Sequence, residues 1–109
     1  MGVSENLKRG VTEIVLLALL SQQDMYGYEM IEALRKKSQN VFELKAGTLY
    51  PLLHSLEEKN CVLSYEQEVA GKIRKYYRLT AEGSKRLNEK KEEWQEYTKA
   101  VTNVLAMGV

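Results

Sequence analysis

The chain has 109 residues, 44% hydrophobic and 28% charged, with a formal net charge of +1. That is one globular domain's worth of chain, too apolar for disorder, with room for a modest core and one element reaching out of it. A near-zero net charge leaves nucleic-acid binding to be decided by where cations cluster, while a single cysteine, Cys61, and a single histidine, His54, exclude an internal disulfide and fall short of a zinc site.

The first predicted element is a helix from about Lys8 to Gln22. Its centre, Ile14 to Leu20, is apolar all round, as in a buried helix. A fully buried strand has the same pattern, and the leucines and alanine favour the helix. The run is too short to cross a bilayer, no signal peptide precedes it, and Asn6 breaks the myristoylation pattern. A cytoplasmic protein with no membrane partner is expected.

Ser21 to Asp24 form a polar break, and Asp24 is the expected N-cap of a second helix from about Tyr26 to Lys37. Met30, Ile31, Ala33 and Leu34 fall at helical spacing, and Lys36 and Lys37 suit the last turn. Val41-Phe42-Glu43-Leu44 alternates and reads as a very short strand. A third helix starts near Gly47 or Thr48, with Thr48 as cap and Pro51 in the first turn. Leu49, Leu52, Leu53 and Leu56 make its buried stripe, which turns Thr48, Pro51, His54 and Ser55 outward. A hairpin follows, with strands Val62 to Val69 and Ile73 to Thr80 around an Ala70-Gly71 turn, Gly71 supplying positive φ. Thr80 then caps a last helix from Ala81 to about Met107, about 40 Å long at ~1.5 Å per residue.

Helix, helix, short strand, helix, hairpin is the order of a winged helix-turn-helix. The expected fold is mainly α with a small β-hairpin: a winged-helix domain over residues 1–80 and a long C-terminal dimerisation helix over 81–109, together one compact unit.

Lys72, Arg74, Lys75 and Arg78 lie between Ala70 and Thr80 with no acidic residue among them. Arg74, Tyr76 and Arg78 share one face of the strand, and Ile73, Tyr77 and Leu79 the other. Such a basic tip with an exposed tyrosine suits phosphate contacts. A solvated edge protected by charge is the alternative, and the position directly after a capped amphipathic helix favours DNA. The third helix is the candidate reader, its N-terminus entering a major groove. Lys45, Thr48, Tyr50 and His54, with Lys72, Arg74, Lys75 and Tyr76 of the wing, are the residues expected at DNA. His54 taken alone also fits an ordinary solvated surface.

On the last helix, Leu87, Trp94 and Val101 are seven apart, and Tyr97 and Val104 form a second set three residues on, broken by Lys90. A helix that outlasts a small core is expected to meet a partner chain through this stripe, most simply in a symmetric homodimer. Packing against its own domain is the alternative. Trp94 either anchors that seam or lines a pocket and stacks on a planar ligand. No catalytic constellation, metal site or cofactor motif is apparent.

Several of these segments are familiar together. Tyr26-Gly27-Tyr28-Glu29, Gly47-Thr48-Leu49-Tyr50-Pro51-Leu52-Leu53, Leu56-Glu57, the run from Gly71 to Thr80, and Gly83 resemble the PadR-like transcriptional regulators from about Val11 to Leu105. The resemblance implies a winged-helix repressor, dimeric through the last helix and relieved by small aromatic compounds, in the short subfamily with one C-terminal helix. The operator is then expected to be pseudo-palindromic double-stranded DNA. Two departures stand out. Asn60-Cys61-Val62 replaces the usual glycine and apolar pair, and His54-Ser55 replaces the basic residue common before Leu56-Glu57. The rival reading is a winged-helix dimer that binds proteins and not DNA, for which the basic wing would be superfluous.

Overall fold

The computed structural model describes residues 2–108. Its core is organised around the run Ile14 to Leu20, in which Leu16, Leu17, Leu19 and Leu20 are buried. This run lies in helix α2 (Thr12–Gln22), which follows a short helix α1 (Glu5–Arg9). The single helix expected from Lys8 is therefore two. The chain turns at Gly10 and Val11, where the Val11 N–H donates to the Lys8 carbonyl at 3.0 Å. Ser4 caps α1, its side chain accepting from the Leu7 N–H.

Strand β1 (Met25–Tyr26) leads directly into α3 (Gly27–Lys37). Tyr26, not Asp24, is the N-cap, and the Glu29 carboxylate reaches back to its N–H at 3.1 Å. Asp24 is diverted because two stronger donors compete for its carboxylate: the Tyr65 hydroxyl at 2.6 Å and Arg78 Nε at 3.0 Å. After α3, Val41 to Leu44 form no strand. Ser38 Oγ accepts from the Phe42 N–H at 2.9 Å, no neighbouring strand pairs with the segment among the described residues, and Phe42 and Leu44 pack against the core instead.

Helix α4 (Ala46–Glu58) starts earlier than Thr48. Lys45 is its N-cap, so Thr48 lies in the first turn and Pro51 in the second. There Pro51 withholds the N–H that would have met the Gly47 carbonyl. Leu49, Leu53 and Leu56 are fully buried and Leu52 partly so, as the stripe requires.

Strands β2 (Val62–Val69) and β3 (Lys72–Leu79) form the hairpin, and β1 pairs on the far side of β3, giving the order β1-β3-β2, all antiparallel. Ala70 and Gly71 both have positive φ, 52° and 80°, a primed two-residue turn that matches strand twist. Thr80 caps α5 (Ala81–Leu105), its hydroxyl accepting from the Gly83 N–H at 3.0 Å. Gly83 lies so close to the Cys61 carbonyl that a Cβ would overlap it, which brings the start of α5 hard against the base of the hairpin.

The first turns of α5 belong to the domain. Leu87 is 3% exposed within the single chain, and Arg86 pairs with Glu13 of α2. Leu87 is thus a core residue with no surface left for a partner, which corrects its expected place in a dimer seam. Trp94, Tyr97, Val101 and Val104 are exposed on the rest of the helix.

Candidate nucleic-acid interface

The leucine stripe fixes which side of α4 meets solvent. With Leu49, Leu53 and Leu56 inward, Lys45, Ala46, Gly47, Thr48, Tyr50, Pro51 and His54 are exposed. The first turn is small and polar, with unpaired backbone N–H groups, and can approach a groove edge closely. Lys45, Thr48 and His54 are exposed on this side of α4. Tyr50 differs in part: its hydroxyl lies over Gly27 at the start of α3, so its ring also closes the junction between the two helices. A side chain at position 27 would displace it.

The hairpin register sorts the wing residues. Val62 pairs with Leu79, Ser64 with Tyr77 and Glu66 with Lys75 on the face turned to α4. Tyr77 is buried there, and the Ser64 hydroxyl donates to the Glu57 carboxylate of α4 at 2.7 Å. Lys75 continues this face toward the tip and stands over the Tyr77 ring at 5.7 Å. Ile73, on the same face as the buried Tyr77, is 69% exposed because the hairpin outruns the core.

The opposite face carries a row of three tyrosines, one per strand. Tyr26 pairs with Tyr76, and Tyr76 with Tyr65. The first pair of rings meets edge-to-face at 5.4 Å and the second stacks at 5.7 Å. Arg74 lies over Tyr26 at 4.9 Å and Arg78 over Tyr65 at 5.2 Å. Asp24 closes the series by accepting from both Tyr65 and Arg78. The hydrogen bond to Asp24, followed by desolvation, holds the Tyr65 phenol above its ordinary pKa, and desolvation does the same for Tyr76. Both phenols therefore stay neutral at physiological pH, and Tyr65 keeps the proton it donates to Asp24. Tyr76 is half-buried in this row and Arg74 is engaged with it, so neither is the free tip contact that alternation alone implies. Lys72, at the turn, is exposed.

Asp24 reads in the sequence as a helix cap and Tyr26 as part of a motif, neither as a partner of the wing, and Tyr65 carries no signal as a single residue. Tyr65 is nevertheless recoverable: a two-residue turn at 70 and 71 sets residue 65 opposite 76.

A second feature lies at Trp94. A cavity of about 350 Å³ opens between α1, α2, the segment before α4, and α5, lined by Val3, Leu7, Val11, Ile14, Phe42 and Trp94 among others. It is almost wholly apolar. Lys8 bounds it and donates to the Val41 carbonyl at 2.8 Å, tying α1 to the segment before α4.

The chain as a whole is similar to known proteins in sequence and fold. A profile of the Transcriptional regulator PadR-like family matches residues 16–89, from the core of α2 to the third turn of α5. This chain belongs to the PadR-like family. A transcriptional regulator from Clostridium thermocellum is 38% identical, with 94% of this chain and 99% of that one covered, at a TM-score of 0.84. A PadR family transcriptional regulator from Eggerthella lenta is 31% identical over 94% of this chain and 88% of its own, also at 0.84. By sequence, the transcriptional regulator Rv3488 of Mycobacterium tuberculosis is 28% identical over 94 residues, 86% of this chain and 85% of that protein. As a PadR-like regulator the protein is a DNA-binding, winged-helix transcription factor. Among the described residues no helix is long and apolar enough to cross a membrane.

Proposed function

We propose that this PadR-like protein is a homodimeric repressor, relieved by a small planar aromatic ligand. The carrying observation is the exposed first turn of α4 beside a hairpin that is tied to α4 by Ser64 and Glu57 and carries the exposed lysines Lys72 and Lys75. In this reading Lys45, Thr48, Tyr50 and His54 enter the major groove, and Lys72 and Lys75 meet flanking phosphates. Dimerism is supported by Trp94, Tyr97, Val101 and Val104, all exposed in the single chain along one helix. Two α4 helices related by a two-fold axis would read a pseudo-palindrome with half-sites about 34 Å apart.

The ligand reading rests on the apolar cavity at Trp94, whose volume of about 350 Å³ is at the small end of the range for such sites. Phe42 in its wall stands three residues before Lys45, the N-cap of α4. A ligand pressing on Phe42 would therefore also act on the reading helix, besides altering its spacing to the partner's.

The test is fluorescence anisotropy with a labelled duplex from upstream of this protein's own gene, against a scrambled duplex at near-physiological salt. Preferential binding that a planar aromatic compound reverses, with quenching of Trp94, the only tryptophan, is the expected result. Tight, preferential binding indifferent to a broad aromatic panel removes the ligand. No binding to either duplex even at low salt moves the function to a protein-binding winged-helix dimer.

A further inference from the structure

We propose that Asp24, Tyr26 and Tyr65 are positioning residues for DNA binding: they lock the wing onto the start of the helix-turn-helix, so that Lys72 and Lys75 meet phosphates in fixed register with α4. The inference rests on the DNA-binding reading above and names how its wing is held.

An isolated two-stranded hairpin is a weak platform. It twists freely and is marginal in water on its own. Here Ala70-Gly71 and the residues around it lie beyond the core, and nothing hydrophobic fixes their direction. The row across the sheet supplies what the core does not. Tyr26 is at once the last residue of β1, the N-cap of α3, and the ring on which both Tyr76 and Arg74 rest. The direction of β3 is thereby referred to the first residue of the helix-turn-helix. At the other end, one carboxylate, Asp24, holds the Tyr65 hydroxyl of β2 and Arg78 of β3, so both wing strands share an anchor. The chemistry also divides the labour among the cations. Arg74 and Arg78 each pack on a ring, and Arg78 has a carboxylate partner. Lys75 also stands over a ring, that of Tyr77, but it and Lys72 are exposed where Arg74 is half-buried, and neither lysine forms an ion pair among the described residues, so these two are the charges most open to phosphate.

A double-mutant cycle separates positioning from simple stabilisation. The probe is a mixed-sequence duplex at low salt, where phosphate contacts supply the affinity and no operator need be known. Lys72→Ala with Lys75→Ala is expected to weaken binding about tenfold and to lower the slope of log K against log salt by about 1.8, at ~0.9 for each phosphate no longer neutralised. Tyr26→Leu should reproduce most of that loss and of the slope change, Tyr26→Phe should restore both, and Asp24→Asn should follow Tyr26→Leu. In the background lacking both lysines, Tyr26→Leu should add nothing. Thermal unfolding of each variant establishes that it folds, and Asp24→Asn, at a partly exposed site, serves if Tyr26→Leu does not fold. An equal further loss in the lysine-free background, or a Tyr26→Leu protein with the wild-type slope, overturns the positioning role. Lysine substitutions that change nothing overturn the wing contact itself. A wild-type protein that binds no duplex at low salt sinks the DNA reading and the positioning role together.

Discussion

A methyl group added at Gly83 meets the backbone carbonyl of Cys61, whereas one added at Gly27 meets the far end of the Tyr50 side chain. Backbone at a strand base cannot yield, but an exposed ring can swing aside. Gly83→Ala is therefore expected to lower stability by about 2–3 kcal/mol, the upper end of overpacking costs, despite the better helix propensity of alanine. Gly27→Ala should cost less than about 1 kcal/mol and show itself instead as altered DNA affinity, because Tyr50 must leave its place. Urea denaturation of the two variants beside anisotropy measures both effects; equal destabilisation would refute the distinction. Ala70 is the converse case. Its φ of 52° is left-handed, strained for a residue with a Cβ. Ala70→Gly should raise stability by up to about 1 kcal/mol and Ala70→Asn by a similar amount, since Asn-Gly is the preferred pair for this turn. A lower denaturation midpoint for both would mean the turn is held by something other than local geometry.

At the scale of elements, the join between α2 and α5 contains one ionic contact, Glu13 with Arg86. Desolvation alone would raise the Glu13 carboxyl, but the hydrogen bond and charge of Arg86 outweigh it and hold the group below its ordinary 4.5. A carboxylate depressed in the folded state stabilises above its unfolded pKa. That contribution fades as pH falls from about 4.5 through the lower folded value. Wild type should therefore lose more stability than Glu13→Gln over that acid interval, and parallel losses would count against the pair. Farther along, past Tyr97, every described residue of α5 except the half-buried Thr98 is exposed. Val101→Glu with Val104→Glu should leave the domain folded and yield monomers by sedimentation; dimers that survive would place the seam elsewhere. Most elements are legible in the sequence because local signals mark them: the leucine stripe of α4, the Thr80 cap, the turn at Gly71. Strand β1 is not, because two residues hold no periodicity and become a strand only through β3. Asp24 illustrates the same limit. Its position before a helix marks it as a cap, yet partners 41 and 54 residues away claim it. The heptad spacing on α5 marks a stripe, but spacing cannot say where the domain ends, so Leu87 and Trp94 look equivalent within it.

The described residues span 60 × 32 × 21 Å, an elongated shape in which α5, of 25 residues, is the longest helix. That shape puts the candidate reading surface and the candidate partner surface on separate parts of the chain, so each can be altered without the other. It also gives meaning to the composition of β2. Glu66 and Glu68 lie across from Lys75 and Ile73, and the strand forms one outer edge of the sheet. The wing is therefore bipolar, cationic along β3 and anionic along β2. A duplex approached with the wrong edge first is repelled before contact, so futile encounters end quickly and the protein resumes its search. Neutralising Glu66 and Glu68 to glutamine should lengthen residence on arbitrary DNA, visible as a slower off-rate, and so lengthen the time to find a target among many decoys. The two acidic residues would then govern how fast the protein leaves wrong sequences, a kinetic property separate from how tightly it holds the right one.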